Sequence, residues 1–160
     1  MAESEKQQTD QAKLAAYVEE YATERSSIEV KLNELSKLFS NIYELSRDKH
    51  KLYEYRQKLV SRKYELMTNS NVINKTVVQK KRQIYDGYKL GKGTTSQVMP
   101  KNDFEREMYL NDDLKSTNLM VSLIDGQIGL IVDSIKTLDN MIFGVQYAIE
   151  LEKFKAPLVV

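Results

Sequence analysis

The chain has no cysteine, no tryptophan, one histidine, two prolines and six glycines among its 160 residues. Without cysteine it has no disulfide and no thiol nucleophile, and a single histidine argues against zinc ligation and histidine-based catalytic triads. Few prolines and glycines, in a chain rich in Leu, Glu, Lys, Gln and Ala, favour long helices over sheets of many strands. We therefore expect a mainly α protein that is not an enzyme and holds no metal and no cofactor.

A long uncharged hydrophobic run is also missing. Charged residues interrupt the most hydrophobic stretch at Asp125, Asp133, Lys136 and Asp139. The N-terminus is too polar for a signal peptide. With 41% hydrophobic and 29% charged residues, the composition fits one soluble domain without a membrane segment.

The net charge of +1 hides a basic middle. From Lys51 to Lys92 there are eleven Lys and Arg residues against three acids, whereas from Asn102 onward ten acids face five bases. This asymmetry indicates a segment that faces a polyanion, carried on a neutral scaffold.

Apolar spacing and turn residues divide the chain into segments. Residues 1–10 are polar and aperiodic, so we expect a disordered tail before a single helical domain over 11–160. Leucines seven apart, at 38, 45, 52, 59 and 66, predict a long helix over 11–67. The turn formers Thr68-Asn69-Ser70-Asn71 should end or kink it.

A basic connector over 72–101 follows. The spacing of Val72 to Leu90 fits a strand or a helix, and we favour a helix. Asn102 and Glu105 offer a capping box for a last helix over 102–156, which Pro157 stops.

Within that last helix, apolar residues follow an unbroken three-four spacing that defines a heptad seam. β-Branched residues at both seam positions favour bundles of three or more helices, formed within and between subunits. Glycines at 126, 129 and 144 should permit close helix approach. The predicted oligomerisation residues are Val121, Ile124, Ile128, Ile131, Ile135, Leu138, Ile142, Val145 and Ile149.

In the basic middle, cations alternate with tyrosines. Single-stranded nucleic acid is held by this combination, because cations neutralise phosphates and aromatic rings stack on bases. The alternative is that the tyrosines lie in a core and the lysines form a solvated face. The candidate nucleic-acid contacts are Lys58, Arg62, Lys63, Lys80, Lys81, Arg82, Tyr85, Tyr88, Lys89 and Lys92.

Three other sequence patterns are weaker indications of a functional site. Gly91-Lys92-Gly93-Thr94 lacks the earlier glycine and the preceding strand of a phosphate-binding loop, although Lys92 could still contact a phosphate. His50 stands in a polar stretch and is expected at the surface. Asp112 and Asp113 point about 100° apart on a helix and do not converge on a metal.

The C-terminal half resembles a known family. Tyr88-Lys89-Leu90-Gly91-Lys92, Asp112-Asp113-Leu114, Phe143-Gly144-Val145-Gln146-Tyr147-Ala148-Ile149-Glu150 and Lys153-Phe154 are similar, in order and spacing, to the UvsY-type recombination mediators of T-even-like bacteriophages. The resemblance covers roughly Gln79 to Ala156.

This resemblance implies a helical hairpin that packs into a ring-like homo-oligomer of six or seven subunits and binds single-stranded DNA. It further implies that the protein loads a RecA-like phage recombinase onto DNA covered by single-strand-binding protein. The implied setting is homologous recombination, DNA repair and recombination-dependent replication in the cytoplasm of the infected bacterial host. The alternative hypothesis is a structural coiled-coil assembly protein, such as a virion component or a chaperone-like assembly, without DNA binding.

Overall fold

The computed structural model describes residues 2–37, 44–89 and 102–155, and three long α-helices make up nearly all of these ranges. They are α1 (Ala2–Ser36), α2 (Leu45–Lys89) and α3 (Asp103–Lys155). No strand occurs in these ranges. The mainly α fold predicted from composition is confirmed.

The helix predicted over 11–67 is instead divided between two helices. α1 ends at Ser36 and α2 begins at Leu45. The seven-residue leucine spacing begins at Leu38, in the sequence between the two helices, and continues along α2 to Leu66, so the apolar spacing alone could not distinguish one helix from two. α1 also begins at Ala2, within the segment predicted to be a disordered tail.

The turn predicted at Thr68–Asn71 does not form, because α2 continues through it to Lys89. Ser70 is buried. Its hydroxyl donates to Asp125 Oδ1 at 3.2 Å and accepts from Asn74 Nδ2 at 3.5 Å. A tertiary contact therefore overrides the local turn preference of this residue, and the helix favoured for Val72 onward is confirmed as far as Lys89.

The start of α3 agrees with the sequence. The Glu105 backbone N–H donates to Asn102 Oδ1 at 2.8 Å, which satisfies one of the amide groups left free at a helix N-terminus. Asp103 and Glu105 lie in the first turn, where negative charge interacts favourably with the helix dipole.

The chain divides into two compact units, and each helix contributes a segment to both. The first unit comprises Met1–Glu20 and Met67–Gly126, and the second comprises Tyr21–Leu66 and Gln127–Val160. The first has a small buried set, Ser70, Val77, Leu114 and Ile124. The second has a larger one, which comprises Tyr21, Ile28, Leu35, Leu45, Asp48, Leu52, Leu59, Leu66, Gln127, Ile131, Ser134, Leu138, Ile142 and Val145.

Burial separates the nine predicted oligomerisation residues into two sets. Ile124, Ile131, Leu138, Ile142 and Val145 are buried within the chain itself. The other four, Val121, Ile128, Ile135 and Ile149, are half-buried. The heptad seam is thus used largely for packing inside the subunit.

A different face of α3 is apolar and exposed in the second unit. Phe143, Tyr147 and Phe154 are 70%, 59% and 78% exposed, and Leu151 is also exposed. These residues follow the i, i+4, i+8, i+11 spacing of one helix face. Gly144 lies among them, and a Cβ added there would meet nothing within 4 Å.

Gly129 is equally open, so neither of these two glycines lies at a close approach of helices within the subunit. Close approach between subunits stays a prediction. Among the described helices, the stretch Leu114–Phe154 is long and apolar enough to cross a membrane, judged by length and composition alone. In its most apolar 18 residues, 22% is buried within the chain. Core helices of soluble proteins meet the same criterion.

Candidate nucleic-acid interface

The segment of α2 in the first unit carries a row of cations that have no ion-pair partner among the described residues. Lys75, Lys80, Lys81 and Arg82 form no ion pair with another side chain that the structure describes, and Asp86 is the single acid between Met67 and Lys89. All but the half-buried Lys80 are exposed. Because these charges are not neutralised by described neighbours, the segment can accept an external polyanion.

Apolar and aromatic side chains share this face. Positions 75, 78, 82 and 85 follow the three-four spacing that places residues on one side of a helix. Val78 and Tyr85 are 50% and 48% exposed. The face therefore presents Lys75, Val78, Arg82 and Tyr85 together, with Lys81 on its flank, and we call these five residues the basic stripe.

Several cations of the second unit are engaged instead. Arg56 donates to Asp139 through Nε at 2.5 Å and Nη2 at 3.3 Å. Arg47 forms an ion pair with Glu44, and Lys51 Nζ lies 3.2 Å from Asp48 Oδ1. These groups are less available to an external anion than those of the basic stripe.

Arg62 is also engaged, although the sequence placed it among the DNA contacts. Its Nε donates to Glu24 Oε1 at 2.8 Å and its Nη1 to Glu65 Oε2 at 3.3 Å. Lys58 is exposed. Lys63 is half-buried, and its Nζ lies 5.6 Å from the centre of the exposed Tyr64 ring, within cation–π range.

The predicted DNA contacts are divided between the two units. Lys80, Lys81, Arg82 and Tyr85 lie together in the first unit, whereas Lys58, Arg62 and Lys63 belong to the second. The side chains of Tyr88 and Lys89, and the whole of Lys92 with its glycine-rich loop, lie outside the described residues.

A polar layer crosses the core of the second unit. Gln127 of α3 is fully buried. Its Nε2 donates to Glu24 Oε2 at 2.9 Å, and its Oε1 accepts from Arg25 Nε at 2.9 Å. Together with the bond between Arg62 and Glu24, these contacts join all three helices, and we call Glu24, Arg25, Arg62 and Gln127 the polar layer.

Tyr55 lies near this layer. Burial raises the pKa of its phenol above 10.0, and the Glu24 carboxylate adds to the rise. The folded chain therefore favours the neutral phenol.

Sequence reasoning missed Lys75, Glu24, Arg25 and Gln127. A signal for Gln127 exists, because it stands three residues after Ile124 and four before Ile131, which is a core position of a heptad pattern. For Glu24 and Arg25 no comparable signal exists, since polar residues surround them in α1.

The surface position predicted for His50 is confirmed. His50 has an exposed side chain, with Nε2 3.4 Å from Glu54 Oε1. In the described ranges, no three His, Cys, Asp or Glu side chains come together as metal ligands. The expected absence of an enzymatic activity stays a prediction.

No protein-family model, no curated protein and no solved structure matches this chain.

Proposed function

We propose that this protein is a phage recombination mediator of the UvsY type, which binds single-stranded DNA and promotes loading of a RecA-like recombinase. The observation that carries the DNA-binding part is the basic stripe. Its cations have no described carboxylate partner, and they alternate with exposed apolar and aromatic side chains. Phosphates would neutralise the cations while bases stack on Tyr85.

In the proposed mode the stripe cations contact phosphates and the Tyr85 ring stacks on bases, and neither contact depends on the base sequence. Binding should therefore depend steeply on salt and weakly on base sequence. Arg62 is left out of the proposed surface, because two carboxylates hold its guanidinium.

Self-association is the second part of the proposal. Five of the predicted seam residues are buried inside the subunit, so copies would meet through the exposed face of α3, at Phe143, Tyr147, Leu151 and Phe154. Aromatic residues on one open face are typical of contact surfaces. Several basic stripes in a ring-like homo-oligomer of six or seven subunits would then act together on one DNA strand.

The remaining partners follow from the sequence resemblance. They are a RecA-like phage recombinase and a single-strand-binding protein, met in the cytoplasm of the infected bacterial host. The mediator would perform no reaction of its own, and detection of nucleotide hydrolysis would overturn that part.

Fluorescence anisotropy of labelled single-stranded and duplex oligonucleotides tests DNA binding. With the three stripe cations removed together, by Lys75→Ala, Lys81→Ala and Arg82→Ala, the plot of log affinity against log salt should lose about two units of slope, since each phosphate contact to single strands contributes about 0.7. A slope equal to that of the parent chain would remove this cluster from the site.

A matched control removes three positive charges elsewhere. Lys31 and Lys136 each pair with an acid three residues away on an exposed helix surface, and Lys115 is exposed on α3. Replacing all three with alanine should leave the slope unchanged. If the control weakens binding as much as the test variant, net charge and not the basic stripe controls affinity.

The second candidate is a structural coiled-coil assembly protein without DNA binding. The exposed apolar face of α3 favours it equally, because that face predicts oligomers whatever their function. Phe143→Ser should reduce the oligomer mass measured by analytical ultracentrifugation, whereas Val30→Ser, on the 59% exposed Val30 of α1, should not. An oligomer that assembles through Phe143 but binds no DNA at low salt would support this candidate.

A further inference from the structure

The apolar core of the second unit repeats at seven-residue intervals on all three helices. The buried positions are Tyr21, Ile28 and Leu35 on α1, Leu45, Leu52, Leu59 and Leu66 on α2, and Ile131, Leu138 and Val145 on α3. A helix that slides by seven residues again places apolar side chains opposite apolar side chains. These positions therefore do not by themselves select one alignment.

The connections do not fully fix the alignment of α3 either. α2 ends at Lys89 and α3 begins at Asp103, so thirteen residues separate them. A seven-residue slip moves a helix by about 10 Å, a distance that a connection of this length can span.

The polar layer lacks the seven-residue repeat. Ser134 and Met120 stand seven residues after and before Gln127. Neither can replace Gln127, because methionine lacks an amide and the Ser134 hydroxyl already donates to Leu130 O at 2.9 Å. After a slip of α3, Arg25 and Glu24 would lose their amide partner.

A slip of α1 has a similar effect. Lys31 stands seven residues after Glu24, and it would bring a positive charge against Arg62. The partly buried guanidinium of Arg62 would then lose the carboxylate of Glu24. Loss of one partner of a buried ion pair is strongly unfavourable.

We infer that the polar layer is a register lock: the contacts of Gln127 with Glu24 and Arg25, and of Glu24 with Arg62, set the axial alignment of the three helices. The fully buried Gln127 uses both ends of its amide on α1, so its hydrogen bonds are satisfied in one alignment only. The apolar positions supply the packing, and the polar layer excludes alignments shifted by seven residues.

Distances between two spin labels test this inference directly. The chain has no cysteine, so Ser27→Cys on α1 and Asn140→Cys on α3, both exposed, supply two label sites. Labelled chains are refolded with an excess of unlabelled chains to suppress distances between subunits. The parent should give one narrow distance distribution.

The test variant converts all four residues of the polar layer to apolar ones by Glu24→Leu, Arg25→Met, Arg62→Met and Gln127→Leu, so that no member is left with a lost partner. It should give a second distance population, displaced according to an axial shift of about 10 Å. If the variant does not fold, Gln127→Leu alone carries the same expectation with a smaller second population. If the variant that folds gives a single distance identical to that of the parent, the inference is overturned.

Ser134→Ala is the matched control. Ser134 is buried like Gln127 and occupies the equivalent position one heptad later, but its hydroxyl bonds within its own helix. The control should keep the parent distance. A second distance population in Ser134→Ala would show that any loss of a buried polar group loosens the alignment, and would also overturn the lock.

Discussion

Replacement of Arg62 by methionine should destabilise the fold without changing the salt dependence of DNA binding. Methionine keeps much of the aliphatic volume of arginine and removes the guanidinium. Glu24 would then keep its bond from Gln127 but lose both contacts from Arg62, at 2.8 and 3.4 Å.

The magnitude follows from the burial of the pair. Removal of one partner costs about 3–5 kcal/mol for a fully buried pair and about 0.2–1 kcal/mol for an exposed pair. The side chains of Arg62 and Glu24 are 29% and 21% exposed, so we expect a loss of about 2 kcal/mol. For a chain of this length that corresponds to a decrease in Tm of roughly 4–8 °C.

Arg56→Met is the comparison within the same helix. Arg56 also contacts a carboxylate through two nitrogens, but its pair with Asp139 is more exposed, at 34% and 47%. We expect this variant to lose less than about 1 kcal/mol. Both losses are measured by urea unfolding at one protein concentration, since self-association makes stability depend on concentration.

A double-mutant cycle isolates the pair. Glu24→Gln keeps an acceptor for Gln127 and removes the charge opposite Arg62. The coupling energy between Glu24→Gln and Arg62→Met should be about 1–2 kcal/mol. If Arg62→Met costs no more than Arg56→Met, or if it reduces the salt slope of DNA binding, the structural role assigned to Arg62 is refuted.

Three further predictions concern stability. Gly144→Ala and Gly129→Ala should each add up to about 1 kcal/mol to the free energy of unfolding and so raise Tm, because an added Cβ meets nothing within 4 Å. A lower Tm would indicate crowding by a second subunit. Asp48→Leu should stabilise by about 1–2 kcal/mol in urea unfolding, because the buried Oδ2 of Asp48, which has no hydrogen-bond partner among the described residues, costs more than its Oδ1 gains from the 40% exposed Lys51; destabilisation would show that the contact with Lys51 outweighs that cost. The pKa of Tyr55 is raised in the folded chain, mainly by burial, so its contribution to folding stability is complete below pH about 10 and is lost as pH rises through the higher pKa of the folded state. Tyr55→Phe should therefore reduce the fall in Tm between pH 9 and 11. An unchanged fall would exclude Tyr55 as its cause.

Predictions from periodicity succeeded where tertiary contacts agreed with local preference. The start of α3 is an example, because Asn102 caps the helix through its own side chain, a contact that depends only on neighbouring residues. The turn at Thr68–Asn71 failed for the opposite reason. The hydroxyl of Ser70 bonds to Asp125, 55 residues away in the chain, and no local rule includes that partner.

Part of the candidate site was visible in the sequence. The cations of the basic middle and their alternation with tyrosine are a matter of composition. Composition does not show which of those cations are neutralised by a carboxylate, since Arg62 and Lys81 each count as one positive charge. Arg62 lies beside Glu24, whereas Lys81 has no described carboxylate neighbour.

The sequence by itself determined that the chain is mainly α, that its middle is basic and that α3 carries more apolar residues than a two-helix seam needs, because these properties depend on composition and local spacing. The tertiary structure decided where the helices end and begin, which seam residues are buried within the subunit and which cations have no carboxylate beside them in the described part of the chain. Those outcomes depend on contacts between residues far apart in the chain, such as Glu24 with Arg62 and Gln127. Heptad spacing allows several alignments of such helices, and only the three-dimensional arrangement shows which of them is formed.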